Sequence, residues 1–423
     1  MKLSNYNINF SINDEEDIIY NTFARKYITY NKNEQESINN LLNNLNKGSY
    51  EIEEVEYLGT LLKKGIVIQD DVDELDIIEY MENSSKYGDD LFRLQIIPTM
   101  NCNFRCAYCY EDHKNLRLDN FSAEKIVKLV NKISAKTRKL NVSWFGGEPL
   151  LEFDRIKDLT SAFLDICKQN HCIYSAMITT NGYLLNKETI QEFKRLKIEN
   201  TQITIDGEED YHNKKRQLIN GQGTFAKIRD NILDLVDNEI KVTIRVNINE
   251  ENYGHINDVL SIIPKEKRYL ATIDMYNIFQ NENRLNLYPL LSRAIESGYN
   301  YNYIKNSQYL CELCLKNGLV ITPDARIIPC TIWAEKGYEF GHLGDNGEII
   351  IKNKGLYYRL KNESCLKNEG CTNCKQLPMC IGSCKFRRYL EEGCTANTSD
   401  GLSIKERVLL HYQYDLISDR KGR

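Results

Sequence analysis

Hydrophobic positions change rhythm along the chain, and the changes mark its parts. Tyr6–Ile12 alternates apolar and polar residues as a half-buried strand does, and Ile18–Tyr30 holds two more β-rich stretches. Ile38, Leu41, Leu42 and Leu45 then recur at helical spacing within Glu34–Leu45, closed by Gly48 and Ser49. Val55–Lys63 predicts a second helix, Gly65–Ile68 a short strand and Asp73–Met81 a third helix. Strands, helices and the Lys63-Lys64-Gly65-Ile66-Val67-Ile68 run together predict a winged-helix-like module over residues 1–90, with the polar Ser84–Asp90 as linker. The same pattern also fits a structural cap on the next domain.

From Leu91 strands and helices alternate. Leu91–Pro98, Val142–Phe145, Tyr174–Thr179, Thr201–Ile205, Val242–Asn247 and Tyr269–Met275 read as strands. Between them Ser122–Ile133 (with Ser122 as N-cap), Ile156–Cys167, Lys187–Leu196, Thr224–Val236 and His255–Ile262 read as helices. Six such βα units predict an α/β fold: a parallel sheet curled into a partial (βα)6 TIM-type barrel over residues 91–305, with right-handed crossovers. In that architecture the chemistry sits at the C-terminal strand ends. From about Leu310 the alternation stops, and residues 306–423 read as a loop-rich domain closed by a helix at Ile404–Ser418. Such a stretch lacks apolar material for a core of its own and needs a staple.

The staple is visible in the composition. Fourteen cysteines fall into clusters at 102–109, 311–330 and 365–394, with Cys167 and Cys172 apart. Clustering of this kind points to metal rather than to disulfides. The overall charge of −5 gives no reason to expect nucleic-acid binding, although residues 1–90 carry 8 basic and 19 acidic residues, a net −11. No apolar run approaches the ~18 residues of a membrane span, and Met1–Asp17 has no signal-peptide pattern. The expectation is a cytoplasmic protein without membrane or nucleic-acid partners.

Cys102-Asn103-Phe104-Arg105-Cys106-Ala107-Tyr108-Cys109 places three thiols on one loop after the first barrel strand. Three thiolates hold three irons of a four-iron cluster and leave the fourth open, unlike a closed four-cysteine site. A zinc loop with a distant fourth ligand is the alternative. With Tyr108 before its last cysteine, the triplet resembles that of the radical S-adenosylmethionine (SAM) superfamily. Gly146-Gly147-Glu148-Pro149 resembles that family's motif for the methionine amino group, and Thr179-Thr180-Asn181-Gly182 and Thr204-Ile205-Asp206-Gly207 resemble its later strand ends. The resemblance covers residues 95–250. It implies a [4Fe–4S] cluster on Cys102, Cys106 and Cys109 whose open iron chelates SAM, and a 5′-deoxyadenosyl radical that abstracts a substrate hydrogen. Tyr108, Gly146, Gly147, Glu148, Pro149, Thr180, Asn181, Thr204 and Asp206 are the implied SAM-side residues. Glu148 offers a carboxylate to an ammonium group, and Gly146 and Gly147 allow backbone close to a ligand. Thr180, Asn181, Thr204 and Asp206 serve equally well as turn-capping residues.

Cys371-x2-Cys374-x5-Cys380-x3-Cys384-x9-Cys394, preceded by Cys311-x2-Cys314-x15-Cys330, resembles the SPASM domain, an iron–sulfur extension of radical enzymes. The resemblance implies one auxiliary cluster on Cys311, Cys314, Cys330 and Cys384 and a second on Cys371, Cys374, Cys380 and Cys394, three [4Fe–4S] clusters in all. Paired zinc sites are the competing reading. Without Cys311 the first cluster would have an open iron for a substrate thiolate, and Cys365 is a spare candidate ligand. Ala325 stands where the family pattern has glycine, which removes a permissive turn residue but no ligand. Cys167 and Cys172 read as buried apolar residues.

The N-terminal module resembles the leader-recognition element of ribosomal-peptide maturases, which implies a precursor peptide bound along a strand edge. The resulting expectation is a radical SAM peptide maturase that forms a thioether or carbon–carbon cross-link, supplied with electrons by a reductant such as flavodoxin or ferredoxin. An anaerobic sulfatase maturase making formylglycine is the alternative. That group normally has Asp after the cysteine of its G-x4-C element, where this chain has Thr331 after Cys330. A non-enzymatic cluster-binding sensor is the third reading.

Overall fold

Six strands share one burial rhythm. In β1 (Leu91–Ile96), β2 (Lys139–Trp144), β3 (Ile173–Thr180), β4 (Ile198–Thr204), β5 (Lys241–Ile248) and β6 (Ala271–Asn277), fully buried residues alternate with half-exposed ones. The buried face is mainly Ile, Val and Leu, with Phe92, Trp144, Tyr174 and Met275, and packs under helices; the half-exposed face carries Arg93, Gln95, Asn141, Ser143, Gln202, Thr243, Arg245 and Asp274. Parallel strands covered on both faces read as continuous apolar runs. These alternate because only the outer face meets helices, while the inner face lines a polar lumen.

The computed structural model describes residues 1–46, 50–278, 284–301, 311–333, 337–391, 394 and 400–420. The expected Gly48-Ser49 break and the 305/306 boundary lie outside them. The six strands pair in parallel in chain order, joined by α1 (Asn120–Ser134), α2 (Phe153–Gln169), α3 (Lys187–Arg195), α4 (Phe225–Asp237) and α5 (Asn257–Ser261). Trp144 of β2 stacks on Phe163 of α2, ring centres 6.4 Å apart, at the centre of this packing. The N-cap of α1 is Asp119 rather than the expected Ser122: its carboxylate accepts from Ser122 N at 2.7 Å, so Ser122 is the third residue of the turn. Beyond β1 the sheet continues through β7 (Gly318–Ile321), parallel to it, and three short antiparallel strands, Arg326–Ile328, Gly341–Leu343 and Ile349–Ile351. The cysteine-rich region thus shares the barrel's sheet.

The N-terminal module is an antiparallel meander of Asn7–Ser11, Glu16–Asn21 and Lys26–Asn31, followed by helices Gln35–Asn43, Ile52–Lys63 and Glu74–Tyr87. Val67–Ile68 pairs with Lys2–Leu3, so the expected wing closes the module instead of standing free. The Ser84–Asp90 linker is in part helix: Glu74–Tyr87 runs through it and buries Lys86. The meander packs Ile18 and Tyr20 against Val408 of the C-terminal helix Ile404–Arg420. Among the described residues no helix is long and apolar enough to cross a membrane.

Ile18 is fully buried in that seam. Ile18→Ala removes three carbons from it and costs about 2–5 kcal/mol, read as an earlier urea transition of the N-terminal module.

Candidate active site

The loop after β1 and the loop after β2 run against each other backbone to backbone. Phe145 N donates to Ile96 O at 3.0 Å, Gly147 N to Thr99 O at 3.1 Å and Glu148 N to Asn101 O at 2.9 Å. A Cβ at Gly146 would lie 2.4 Å from Thr99 O, and one at Gly147 2.2 Å from Asn101 O. Gly146 also has φ +136°, open mainly to glycine. The close approach these glycines permit is therefore to the root of the cysteine loop, where the sequence suggested approach to a ligand.

Glu148 is fully buried. Its Oε1 accepts from Leu150 N at 2.9 Å and from Thr180 Oγ1 at 2.6 Å; its Oε2 accepts from Asn181 N at 2.7 Å. Burial pushes its carboxyl up to about 6 against the pull of these hydrogen bonds. Pro149 starts the short turn Pro149–Glu152, where a missing N–H costs nothing. Asn181 Nδ2 reaches across to Asn103 Oδ1 at 2.7 Å and lies 3.9 Å from Cys102 Sγ. The structure so brings Glu148, Thr180, Asn181 and Cys102 together.

Within the cysteine loop, Phe104–Cys106 forms a short antiparallel pair with Arg216–Leu218, and Cys109 N closes a turn onto Cys106 O at 3.1 Å. Cys102 is buried, Cys106 half-buried and Cys109 exposed. Burial pushes the Cys102 thiol up to about 12 and the Cys109 thiol up to about 11, and Cys106 adds to both. Burial raises the Cys106 thiol too, against the pull of Arg216. Three thiols raised in this way fit a multivalent iron centre, whose charge would remove their protons. Glu111 and His113 bring ligand atoms within 4.8 Å of Cys109.

The sequence singled out Tyr108 and Asp206 but not the network that joins them. Asp206 is fully buried; its carboxylate takes the Tyr108 hydroxyl and Asn247 N at 2.9 Å, and lies 3.9 Å from Arg216 NH1. Arg216 NH1 and Asn247 Nδ2 both donate to the Tyr108 oxygen, at 2.7 and 3.2 Å. His212 accepts from Asp206 N through Nδ1 at 3.3 Å, with Nε2 3.1 Å from Thr224 Oγ1. Burial raises the Asp206 carboxyl and holds His212 well below its ordinary range, which keeps the imidazole neutral. Arg216 belongs to a three-residue strand whose pairing with the cysteine loop no periodicity announces; Asn247 lies near the end of β5, two residues beyond Arg245, the register partner of Thr204, and no motif marks it. Thr204 is half-buried at the end of β4, beside Arg245 in register.

In the C-terminal region Cys311 and Cys314 lie 3.5 Å apart, sulfur to sulfur. Burial and then the neighbouring Cys311 and Cys384 act on the Cys330 thiol, which rises to about 11. Cys371, Cys374, Cys380 and Cys394 form the second neighbourhood: Cys380 responds to the other three. The three residues between Cys380 and Cys384, Ile381, Gly382 and Ser383, all have positive φ, at 43°, 78° and 53°. For Ile381 this conformation costs roughly 1–2 kcal/mol. It reverses the chain so that Cys380 and Cys384 face different groups. Cys365 is fully buried with Tyr6, Ile78 and Leu377. Ala325 adopts φ 61° in the turn closed by Ala325 N to Thr322 O, so the backbone keeps the left-handed geometry expected of glycine. Cys167 and Cys172 are core residues under the sheet.

Residues 96–263 match the sequence profile described as the Radical SAM superfamily. The chain is a radical SAM enzyme. It is 24% identical over 340 residues to the cysteine-type anaerobic sulfatase-maturating enzyme of Clostridium novyi (strain NT), covering 71% of this chain and 89% of that protein. It is 20% identical over 379 residues to the radical SAM cyclopropyl synthase TigE of Paramaledivibacter caminithermalis, covering 76% and 74%. Among solved structures, native anSMEcpe with bound AdoMet and Cp18Cys peptide matches with a TM-score of 0.56 and 16% identity, over 78% of this chain and 97% of that one. Streptococcus suis SuiB bound to precursor peptide SuiA matches with a TM-score of 0.52 and 16% identity, over 93% and 97%. At these identities the structural likeness is one of fold. The radical SAM family implies SAM and a [4Fe–4S] cluster, and the three-thiol loop at the mouth of the polar lumen has the donor set for it.

The Glu148 carboxyl gives this radical SAM enzyme a pH signature. Its folded value of about 6 lies above its ordinary 4.5, so the native state binds the proton more tightly than the unfolded chain. Stability therefore falls as pH rises from 4.5 to 6, by about 2 kcal/mol for this one group. Glu148→Gln lacks that slope, and urea denaturation of both proteins across this pH window measures the difference.

Proposed function

We propose that this radical SAM enzyme oxidatively modifies a ribosomally made precursor peptide, forming a thioether or carbon–carbon cross-link, with the leader held by residues 1–90. The observation that carries the reading is a small sheet with open edges built against the cysteine-rich region. The fold likeness to SuiB spans 93% of the chain, leaving about 30 of 423 residues, so it takes in most of that module.

In this reading residues 1–90 recognise the leader, 91–305 form the radical SAM barrel and 306–423 the SPASM region. Cys102, Cys106 and Cys109 hold the SAM-binding cluster; Cys311, Cys314, Cys330 and Cys384 hold one auxiliary cluster, and Cys371, Cys374, Cys380 and Cys394 another. When bound, these groups with SAM supply a 5′-deoxyadenosyl radical and an acceptor for the electron that cross-linking releases. The chain's own contribution is positional. Gly146, Gly147 and Pro149 set the loop against the cysteine root. Glu148, with one acceptor site left on Oε2, faces the ammonium of SAM and fixes Thr180 and Asn181. Asp206 and Arg216 hold Tyr108 against the lumen wall, and Thr204 lines it. A flavodoxin or ferredoxin supplies the reducing electron.

The test uses anaerobically reconstituted protein and a cysteine-rich candidate peptide. Wild type should remove two hydrogen atoms from the peptide by mass, and Cys102→Ala/Cys106→Ala/Cys109→Ala should abolish both that loss and 5′-deoxyadenosine. Retained cleavage of SAM in the triple variant overturns the site, and conversion of a thiol to an aldehyde establishes the sulfatase-maturase reaction instead.

The leader reading has its own geometry. Ile12 N donates to Glu16 O, Thr22 N to Tyr6 O and Lys32 N to Glu15 O. By the period of two in antiparallel ladders, the N–H groups of Asn9 and Thr29 point away from the middle strand, one at each edge. Asn9→Pro/Thr29→Pro removes both outward donors while leaving the ladder intact. Precursor binding should weaken about tenfold, the worth of one or two hydrogen bonds, in fluorescence anisotropy with labelled leader. Unchanged affinity sinks the strand-edge mode.

A further inference from the structure

Three ammonium groups are buried around the Cys311–Cys314 turn. Lys385 is 1% exposed, Lys86 3% and Lys361 7%. Lys361 Nζ donates to the carbonyls of Glu312, Leu315 and Gly318 at 3.1, 2.5 and 3.0 Å, which wraps the turn around it. Lys385 Nζ donates to Glu363 O at 2.7 Å and to Glu82 Oε1 at 3.0 Å. Lys86 Nζ donates to the same Glu363 carbonyl at 2.9 Å and lies 3.8 Å from Glu82 Oε1. Glu82, itself 2% exposed, gives its other oxygen to Ser364 Oγ at 2.8 Å.

The charges do not balance within this group. Among the described residues Glu82 is the one carboxylate in salt-bridge range of the three lysines. Half-buried Glu312 adds a weaker attraction for Lys361. Burying a cation without a partner costs several kcal/mol, so two positive charges here call for an anionic neighbour. The turn they surround carries Cys311 and Cys314, and Lys361 Nζ holds the carbonyls of the residues that follow each of them, Glu312 and Leu315. Four thiolates on a four-iron core of charge plus two carry a net minus two, which is the missing charge, and one more electron is then accepted beside cations.

We propose that Lys86, Lys361 and Lys385 form a buried cationic cage that retains the cluster of Cys311, Cys314, Cys330 and Cys384 and raises its reduction potential. The proposal rests on the reading that these four cysteines hold a cluster. Lys86 and the counter-ion Glu82 belong to the last helix of the N-terminal module, so that module is also part of the electrostatic wall of the site. The three lysines are positioning residues; none touches the reacting atoms.

The experiment is a redox titration of the reconstituted full chain, followed by electron paramagnetic resonance, with iron content and circular dichroism on each variant. At the wild-type midpoint, Lys361→Met should shift the reduced-to-oxidised ratio at least tenfold toward oxidised, a fall of about 59 mV for one electron. Glu82→Gln removes a negative charge and should shift the ratio several-fold the opposite way. Opposite signs from one network are not what mere loosening of the structure produces. Loss of one cluster's iron from a folded Lys361→Met variant supports the retaining role. Potentials unmoved in both variants, folded and iron-replete, overturn the proposal while leaving the cluster itself in place. If Lys361→Met does not fold, Glu82→Gln decides alone: an upward shift supports the cage, and no shift or a downward one overturns it. Iron content in Cys311→Ala/Cys314→Ala/Cys330→Ala equal to wild type overturns the cluster reading, and the cage with it.

Discussion

The structure turns on one buried carboxylate. Glu148 has no contact with water, yet its backbone nitrogen is tied to Asn101 and its two oxygens to Leu150, Thr180 and Asn181. A carboxylate taken out of water is costly unless its lone pairs are filled; here the loops after β2 and β3 fill them, while the residue's own N–H holds the loop after β1. The consequence is that the loops after β1, β2 and β3 cannot move independently. Cys102 sits on the first of them and is touched by Asn181 on the third. A loop carrying three thiols would otherwise be a mobile excursion from a strand end. Gly146 and Gly147 make the arrangement possible, since any side chain there would hold the loops apart.

What was legible in the sequence was what repeats. The six strands and five helices of the barrel announce themselves because each is long enough to show a period, and their observed limits lie within a few residues of the expected ones. The α1 N-cap slipped because Asp119 and Ser122 both suit that position, and only geometry shows Asp119 capping Ser122. The three short antiparallel strands between Arg326 and Ile351 were missed because each is three residues long, too short for a period to show. Ser84–Asp90 is polar in composition, but Lys86 is buried because Glu363, far away in the chain, accepts from it beside Glu82, one helical turn back. Tertiary charge pairing of this kind leaves no local trace. The site divides the same way. Cysteine spacing and the Gly-Gly-Glu-Pro run were visible; Arg216, His212 and Asn247 became site residues only when the chain folded.

The polar lumen has a similar logic. Alternation in β1–β6 looks like that of an antiparallel sheet with one wet face. In a parallel barrel the same alternation means an interior that holds something polar. Arg245 and Asp274 pair across neighbouring strands at 2.6 Å, and Arg245 stacks 4.2 Å above the Tyr276 ring. They stand in the same lumen wall as Asn247, which binds Asp206 and Tyr108. A cavity of about 300 Å³ lined by Arg93, Asn141, Ser175 and Asn200 lies at the opposite, N-terminal end of the strands, away from the thiols. The chemistry-bearing end is thus defined by the thiol loop, while the far end is a void of mixed lining, with Leu91, Ile173 and Met177 beside the polar residues.

The N-terminal module and the cysteine-rich region pack as one body. Tyr6 and Ile78 share a core with Cys314, Cys365, Leu377 and Ile381, and Thr22 Oγ1 donates to Lys375 O at 2.6 Å. Lys375 follows Cys374 directly, and its Nζ donates to Asn5 O. A shared apolar core of this kind is lost as a unit, so the two parts are coupled in their opening. A peptide that stiffens the Asn7–Asn31 meander therefore acts on a body that also carries Cys314, Cys371 and Cys374. Two arrangements of that seam with different affinity for peptide would couple leader occupancy to the cysteine-rich region, and the reciprocal effect would have to follow. The meander's hydrogen bonds and the lysine–glutamate group at its far end are the two places where such a coupling would have to begin and end.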